Sequence, residues 1–149
     1  MKKVTARPKI QIALPNPRKD GRVYYYGYNV AMEWLYDYSD THWRRGRNSD
    51  IVSKTVSAVD LLRLHSGIKR LDLESALMDD TVPSNVATIP GHSPEEIGEL
   101  RVPLMSIFSN EYESFKRRPS QEKVDRLSEI LGKQPRWWVD YDDPRDYTE

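Results

Sequence analysis

Residues 41–47, "THWRRGR", gather the side chains with the clearest chemistry in the chain. Arg44, Arg45 and Arg47 carry guanidinium groups, whose planar forks fit phosphate oxygens. Trp43, beside them, offers a flat face on which an unpaired base can stack. The alternative interpretation places Trp43 in the core and leaves the arginines in solvent or paired with acidic residues. The segment therefore predicts phosphate contacts for the three arginines, with a structural role kept open.

Catalytic chemistry has little support in the sequence. The histidines His42, His65 and His92 are far apart and lack the spacing of metal ligands. There is no phosphate-binding glycine loop and no Gly-x-Ser-x-Gly elbow. We therefore expect neither an enzyme nor a cofactor or metal site.

Charge is distributed unevenly along the 149 residues, although the net charge is zero. Residues 1–70 hold 14 Lys and Arg against 6 Asp and Glu, whereas residues 71–149 hold 9 against 17. The basic half is expected either to meet an anionic partner or to face the acidic half. No cysteine and no long apolar run occur, so the sequence predicts a soluble, cytoplasmic protein without membrane contact.

The first half predicts a β-hairpin followed by two helices, in a basic region that spans residues 1–80. Residues 9–14 and 22–28 read as the two strands of the hairpin, and alternation places about half of the tyrosines of the second strand in the core. A helix is expected over residues 29–43. A second runs from Ser49 to Gly67 and is expected to bury one apolar side: Ile51, Val52, Val56, Val59 and Leu62.

The second half predicts a succession of short helices over residues 93–139, after a linker at residues 81–92 and before an acidic tail at residues 140–149. Ser93, Pro94 and Glu96 form a helix-start pattern, and a further helix begins after Pro119 and ends at Gly132. The expected fold is therefore mainly α, with a small N-terminal β-hairpin and a C-terminal helical bundle.

A specific resemblance covers residues 93–139. Residues 112–120 read "YESFKRRPS", Leu131-Gly132 ends the next helix, and residues 134–138 read "QPRWW". This order and spacing resemble the XRE family, the lambda-repressor-like helix-turn-helix domains. Members show aromatic-Glu-x-Gly-Lys-Arg-x-Pro-Ser, then a helix ending in Leu-Gly, then Ser-Pro-x-Trp/Tyr-Leu.

The resemblance implies a bacterial or phage transcriptional regulator that binds double-stranded DNA, as a homodimer, with the helix around residues 105–112 in the major groove. The side chains of that helix that would contact base edges are Ser106, Ser109 and Asn110. The loop after it would hold phosphates through Lys116, Arg117 and Arg118.

Three departures from the family pattern count against a direct transfer of its function. Phe115 stands at the position of the family's glycine, one extra residue separates Ser109 from Glu113, and residues 104–113 contain two acids but no Arg, Lys or Gln. Helices that recognise DNA bases usually do so through Arg, Lys, Gln or Asn side chains. The alternative is a protein-interaction module, such as an antitoxin or a phage-encoded inhibitor, that keeps the helix-turn-helix scaffold without binding DNA. Trp137 and Trp138 would then contact the protein partner, because tryptophan is enriched at binding hot spots.

Overall fold

The computed structural model describes residues 23–43, 50–78, 82–83, 85–90 and 100–141, and every structural statement below concerns these residues. They form an α+β fold, so the expected mainly α fold with a C-terminal helical bundle is wrong. In chain order the elements are β1 (Tyr24–Asn29), α1 (Met32–His42), α2 (Ile51–Ser66), β2 (Asp72–Leu77), β3 (Ile89–Pro90), β4 (Leu100–Ser109), α3 (Tyr112–Lys116), α4 (Gln121–Leu131) and β5 (Arg136–Val139).

An antiparallel sheet in the order β2-β4-β1-β5 organises the described chain, with the short β3 paired to the beginning of β4. Strands from both sides of the predicted linker at residues 81–92 therefore share one sheet. The two edge strands, β2 and β5, also come together. Asp140, just after β5, forms a bridge with Ala76 of β2, and the Tyr141 amide donates to the Ser75 carbonyl at 2.9 Å.

One face of the sheet carries the larger core, which α1, α2 and α4 cover. Tyr28 and Met105 of the sheet lie in one buried cluster with Leu35 of α1, Leu62 of α2 and Leu127 of α4. These five side chains are fully buried. The three helices are thus held to the sheet by apolar contacts drawn from the whole length of the described chain.

A smaller cluster lies on the opposite face of the sheet. It joins Ala76, Val102, Leu104 and Trp138, and the half-buried Tyr25 packs against it. The Trp138 Nε1–H donates to the Gly27 carbonyl at 3.0 Å, which satisfies the buried indole. Both faces of the central strands are therefore covered.

The expected recognition helix around residues 105–112 is mostly a strand, which corrects the helix-turn-helix expectation. Residues through Ser109 belong to β4, whose last eight residues are all buried. A strand that is buried on both faces has a continuous apolar run instead of alternation, and periodicity cannot separate such a run from a buried helix. Pro103 lies within the strand and does not separate the two interpretations, because proline is also tolerated in the first turn of a helix.

The predicted N-terminal hairpin is also corrected. Residues 22–28 do include a strand, β1, but its first part is paired with β4 on one side and with β5 on the other. Both edges of β1 are thus used by strands from the C-terminal half. Residues 9–14, the expected hairpin partner, lie outside the described residues.

The helix ends follow local sequence rules closely. Asp50, one residue after the predicted Ser49, caps α2 by accepting the Ser53 amide at 2.8 Å, and Gly67 ends that helix in a left-handed conformation. Ser120 and Gly132 play the same two roles for α4. These helix boundaries were therefore predictable to within about two residues, the usual uncertainty of helix ends.

Candidate interaction surface and histidine cluster

The outward side of α2 exposes large aliphatic side chains. Val52 is 70% exposed and Val56 56%, Ile51 beside them is 60% exposed, and Leu64 near the end of the helix is 75% exposed. We call these four residues the α2 outer face. At about 100° per residue, Val52 and Val56 lie on one side of the helix, with Ile51 about 100° to one side of Val52 and Leu64 about 80° to the other side of Val56. Of the seven large hydrophobic side chains exposed in the described residues, four belong to this one helix, which makes it the most apolar exposed element.

This exposure corrects the prediction for the helix. Ile51, Val52 and Val56 were expected on the buried side, but only Val59 and Leu62 of that set are buried. The buried residues of α2 begin at Ser57, so Ile51, Val52 and Val56 lie in the part of the helix that precedes its packed section. Burial along α2 therefore depends on position along the helix as well as on the side of the helix.

The α2 outer face is held rigidly. Besides its two caps, α2 is joined to the next strand by Arg63, which donates to the Leu71 carbonyl through Nη2 at 2.6 Å and Nε at 3.0 Å. The same guanidinium pairs with Asp60 at 3.0 Å. A partner would therefore meet a preformed surface.

Charges around the α2 outer face are paired within the chain. Lys54 lies 3.0 Å from the Asp40 carboxylate of α1. The Asp50 carboxylate accepts from the Ser53 amide and hydroxyl, and these hydrogen bonds lower the pKa of Asp50. Because these charges are compensated locally, apolar contact is the main attraction that the face offers.

The residues predicted to contact base edges instead help to build the sheet. Ser106 and Ser109 of β4 are buried. The Asn110 side chain accepts a hydrogen bond from the Tyr24 amide at 2.9 Å and so extends the β1–β4 pairing. The first two side chains cannot reach a DNA groove without the strand leaving the sheet.

The residues predicted to hold phosphates fall into two groups. Lys116, Arg117 and Arg118 are exposed at the end of α3, as that prediction requires. Arg117 lies 3.9 Å from the Glu113 carboxylate, and the Arg118 guanidinium stacks 4.2 Å from the centre of the Phe115 ring. The second group, Arg44, Arg45 and Arg47, lies outside the described residues.

The two tryptophans predicted as partner contacts are packed into the protein. Trp138 is buried in the smaller cluster. Trp137 is half-buried and packs on the other face, with its ring centre 5.1 Å from that of Tyr26 and 5.5 Å from that of Phe108. Neither is a free hot spot, because β5 places them on opposite faces of the covered sheet.

A cluster of tyrosine, tryptophan and histidine rings, which the sequence did not predict, joins α1 to α2. The Tyr38 hydroxyl lies 2.5 Å from Nδ1 of His65, and the ring centres of His42 and His65 are 5.6 Å apart. Trp34 stacks on Tyr38 at 4.9 Å. Trp34, Tyr38 and His42 recur every four residues in the sequence, which places them on one side of α1. The contact with His65 depends on how the helices pack, so spacing alone could not reveal it.

Comparison with known proteins adds no family assignment. No protein-family model, no curated protein and no solved structure matches the chain. Within the described residues, no helix combines the length and the apolarity that crossing a bilayer requires. Functional inference therefore depends on the geometry given above.

Proposed function

We propose that this protein is a protein-interaction module that binds a partner protein on the α2 outer face. The observation that carries the proposal is the exposure of Ile51, Val52, Val56 and Leu64 on one helix. Exposed apolar surface is costly to leave in water, and contiguous patches usually mark binding sites. A folded core already exists without these four side chains, so their type is not required by the fold.

The spacing of the face suits an elongated partner segment. Val52 and Val56 are four residues apart, and Leu64 follows two turns later. From Val52 to Leu64 the helix rises about 18 Å. An amphipathic helix with anchors at successive turns would cover that length. A second copy of the chain is one candidate partner of this kind.

The DNA-binding hypothesis loses the helix on which it depended. Ser106 and Ser109 are buried in β4, and Arg117 lies 3.9 Å from Glu113, the acidic residue of α3. Phosphate binding by the exposed cations is still a prediction, and binding to random duplex DNA at two salt concentrations tests it. Salt-sensitive binding that Arg117→Glu weakens would favour the DNA hypothesis.

The proposal is tested with a double variant, Val52→Lys and Val56→Lys. Both side chains are exposed and lysine favours helix more than valine does, so the fold should keep its stability. We expect the affinity for the partner to fall at least about 30-fold, as for the loss of a hot spot. The measurement combines affinity capture, quantified by mass spectrometry, with titration of the purified partner and with sedimentation equilibrium for self-association.

The matched control is Leu100→Lys, which makes the same kind of change at an exposed aliphatic residue on β4. It should bind the partner as the wild type does. Equal loss in both variants would point to a general effect of charge. Full binding by the double variant would overturn the proposal.

A further inference from the structure

The contact between α1 and α2 brings two of the three histidines of the chain together. His42 is exposed near the end of α1, and His65 is half-buried near the end of α2. Their ring centres are 5.6 Å apart, and the ring planes are inclined at 77°. Two imidazoles that bind one metal ion, with metal–nitrogen bonds of about 2.0–2.1 Å, have their ring centres roughly 5–6 Å apart. The observed separation falls in that range.

Tyr38 fixes which nitrogen of His65 is available. The Tyr38 hydroxyl lies 2.5 Å from Nδ1 of His65 and is hydrogen-bonded to it. Nε2 is therefore the ring nitrogen that does not take part in this hydrogen bond. When Nδ1–H donates to the phenolic oxygen, Nε2 carries the lone pair that a metal needs. Histidine ligands are usually held in this way, with the second nitrogen donating to an oxygen acceptor that sets the tautomer and the ring orientation.

We propose that His42 and His65 bind one divalent transition-metal ion of the borderline class, such as Zn²⁺ or Cu²⁺, with Tyr38 as the positioning residue. Imidazole suits these ions. The His42 side chain is exposed, so it can adopt other rotamers when a ligand binds. The described residues contain no cluster of three or more His, Cys, Asp or Glu with metal-binding geometry, so they supply two protein ligands to this ion.

With only two protein ligands, the bound metal ion should exchange readily. Structural zinc sites use four protein ligands and catalytic zinc sites usually three. With two imidazoles, the ion would bind more weakly than in either class and would keep positions open. A group on another molecule could then complete the coordination.

The test is calorimetric titration of the full chain, free of any histidine tag, with Zn²⁺ and separately with Cu²⁺. We expect one ion per chain in the wild type, bound more tightly for Cu²⁺ than for Zn²⁺. His42→Ala and His65→Ala should each weaken binding at least about tenfold, because one imidazole is lost from a site of two. The third histidine supplies the matched control, and His92→Ala should bind as the wild type does.

A separate variant tests the role of Tyr38. Tyr38→Phe keeps the ring contacts with Trp34 and His42 but removes the oxygen beside His65. We expect a loss of affinity of about tenfold, as for other partners of metal-bound histidines, with the stoichiometry unchanged. The histidine ring signals in NMR spectra should shift on adding Zn²⁺, for His42 and His65 only. Wild-type affinity in either histidine variant, or no binding by the wild type, would overturn the proposal.

Discussion

At the scale of single residues, Tyr28 shows how one polar group fixes the packing of distant segments. Its side chain is fully buried, and its hydroxyl lies 3.1 Å from the Val124 carbonyl and 2.7 Å from Ser128 Oγ. Both partners belong to α4, about a hundred residues further along the chain. Burial raises the pKa of Tyr28 to about 12, and the hydrogen bond with Ser128 only partly opposes this. The hydroxyl therefore holds β1 and α4 together in its protonated form.

Tyr28→Phe is expected to lower the free energy of unfolding by about 1–2 kcal/mol, because the ring contacts remain but a buried hydrogen bond is lost. The pH dependence should change as well. The folded-state pKa of about 12 lies above the ordinary tyrosine pKa of 10.0, so the stabilisation by the protonated hydroxyl is present below pH 10 and is lost as the pH rises towards 12. Urea unfolding at neutral and alkaline pH measures both effects.

The variant should lose less stability between pH 10 and 12 than the wild type does. Part of the alkaline loss should persist, because burial also raises the pKa of Tyr26 and Tyr38. Identical alkaline curves for the two proteins would contradict the role assigned to the Tyr28 hydroxyl.

At the scale of elements, Gly27 decides how β1 and β4 meet. The register shifts by one residue between Tyr26 and Gly27, which pair with Phe108 and Ser106 respectively. A Cβ atom on Gly27 would lie 2.1 Å from the Met105 carbonyl oxygen. The two backbones approach so closely that only glycine fits, a common reason for glycine in a strand. The sequence predicted a strand at Gly27. It did not predict the close approach to β4, because most of β4 was predicted to be a helix.

Gly27→Ala should destabilise the protein by about 3 kcal/mol or more, since the clash is with backbone atoms that cannot turn away. Gly132→Ala is the matched comparison. That residue has a left-handed backbone but nothing within 4 Å of an added Cβ. Its cost should be only about 1 kcal/mol, from the backbone conformation alone. Chemical unfolding of both variants measures the difference, and similar costs would argue against the close approach.

At the scale of the whole molecule, the described chain has one central sheet. Protection of backbone amides against hydrogen exchange should be highest in the central strands and lower in the elements farther from them. β1 and β4 each have neighbours on both sides, whereas α3 has no buried residue. The predicted regions at residues 1–80 and 93–139 both contribute strands to the sheet. Removal of either region would therefore leave unpaired strand edges.

Native-state hydrogen exchange should show this gradient. Amides of β1 and β4 are expected to exchange only through global unfolding, and those of α3 through local opening with protection at least about 100-fold lower. The measurement is residue-resolved exchange by NMR. Equal protection in α3 and the central strands would contradict the gradient.

Local sequence rules were sufficient for α2 and α4 and for the ends of these two helices. Asp50, Gly67, Ser120 and Gly132 act within a few residues of their own positions, so a cap or a left-handed glycine can be recognised from the sequence. The helical periodicity of α1 and α4 was equally readable. The helix-turn-helix resemblance also rested on local patterns, and the recognition helix that it implied is mostly strand β4.

Tertiary structure alone decided the identity of β4, the outer side of α2 and the pairing of His42 with His65. β4 is buried on both faces, which removes the alternation that marks a strand. The apolar residues of α2 could not be divided into core and surface until tertiary packing fixed which part of the helix is covered, from Ser57 onward. The histidines are 23 positions apart in the sequence and meet only because α1 crosses α2. In each case contacts between distant segments, which no local pattern encodes, made the choice.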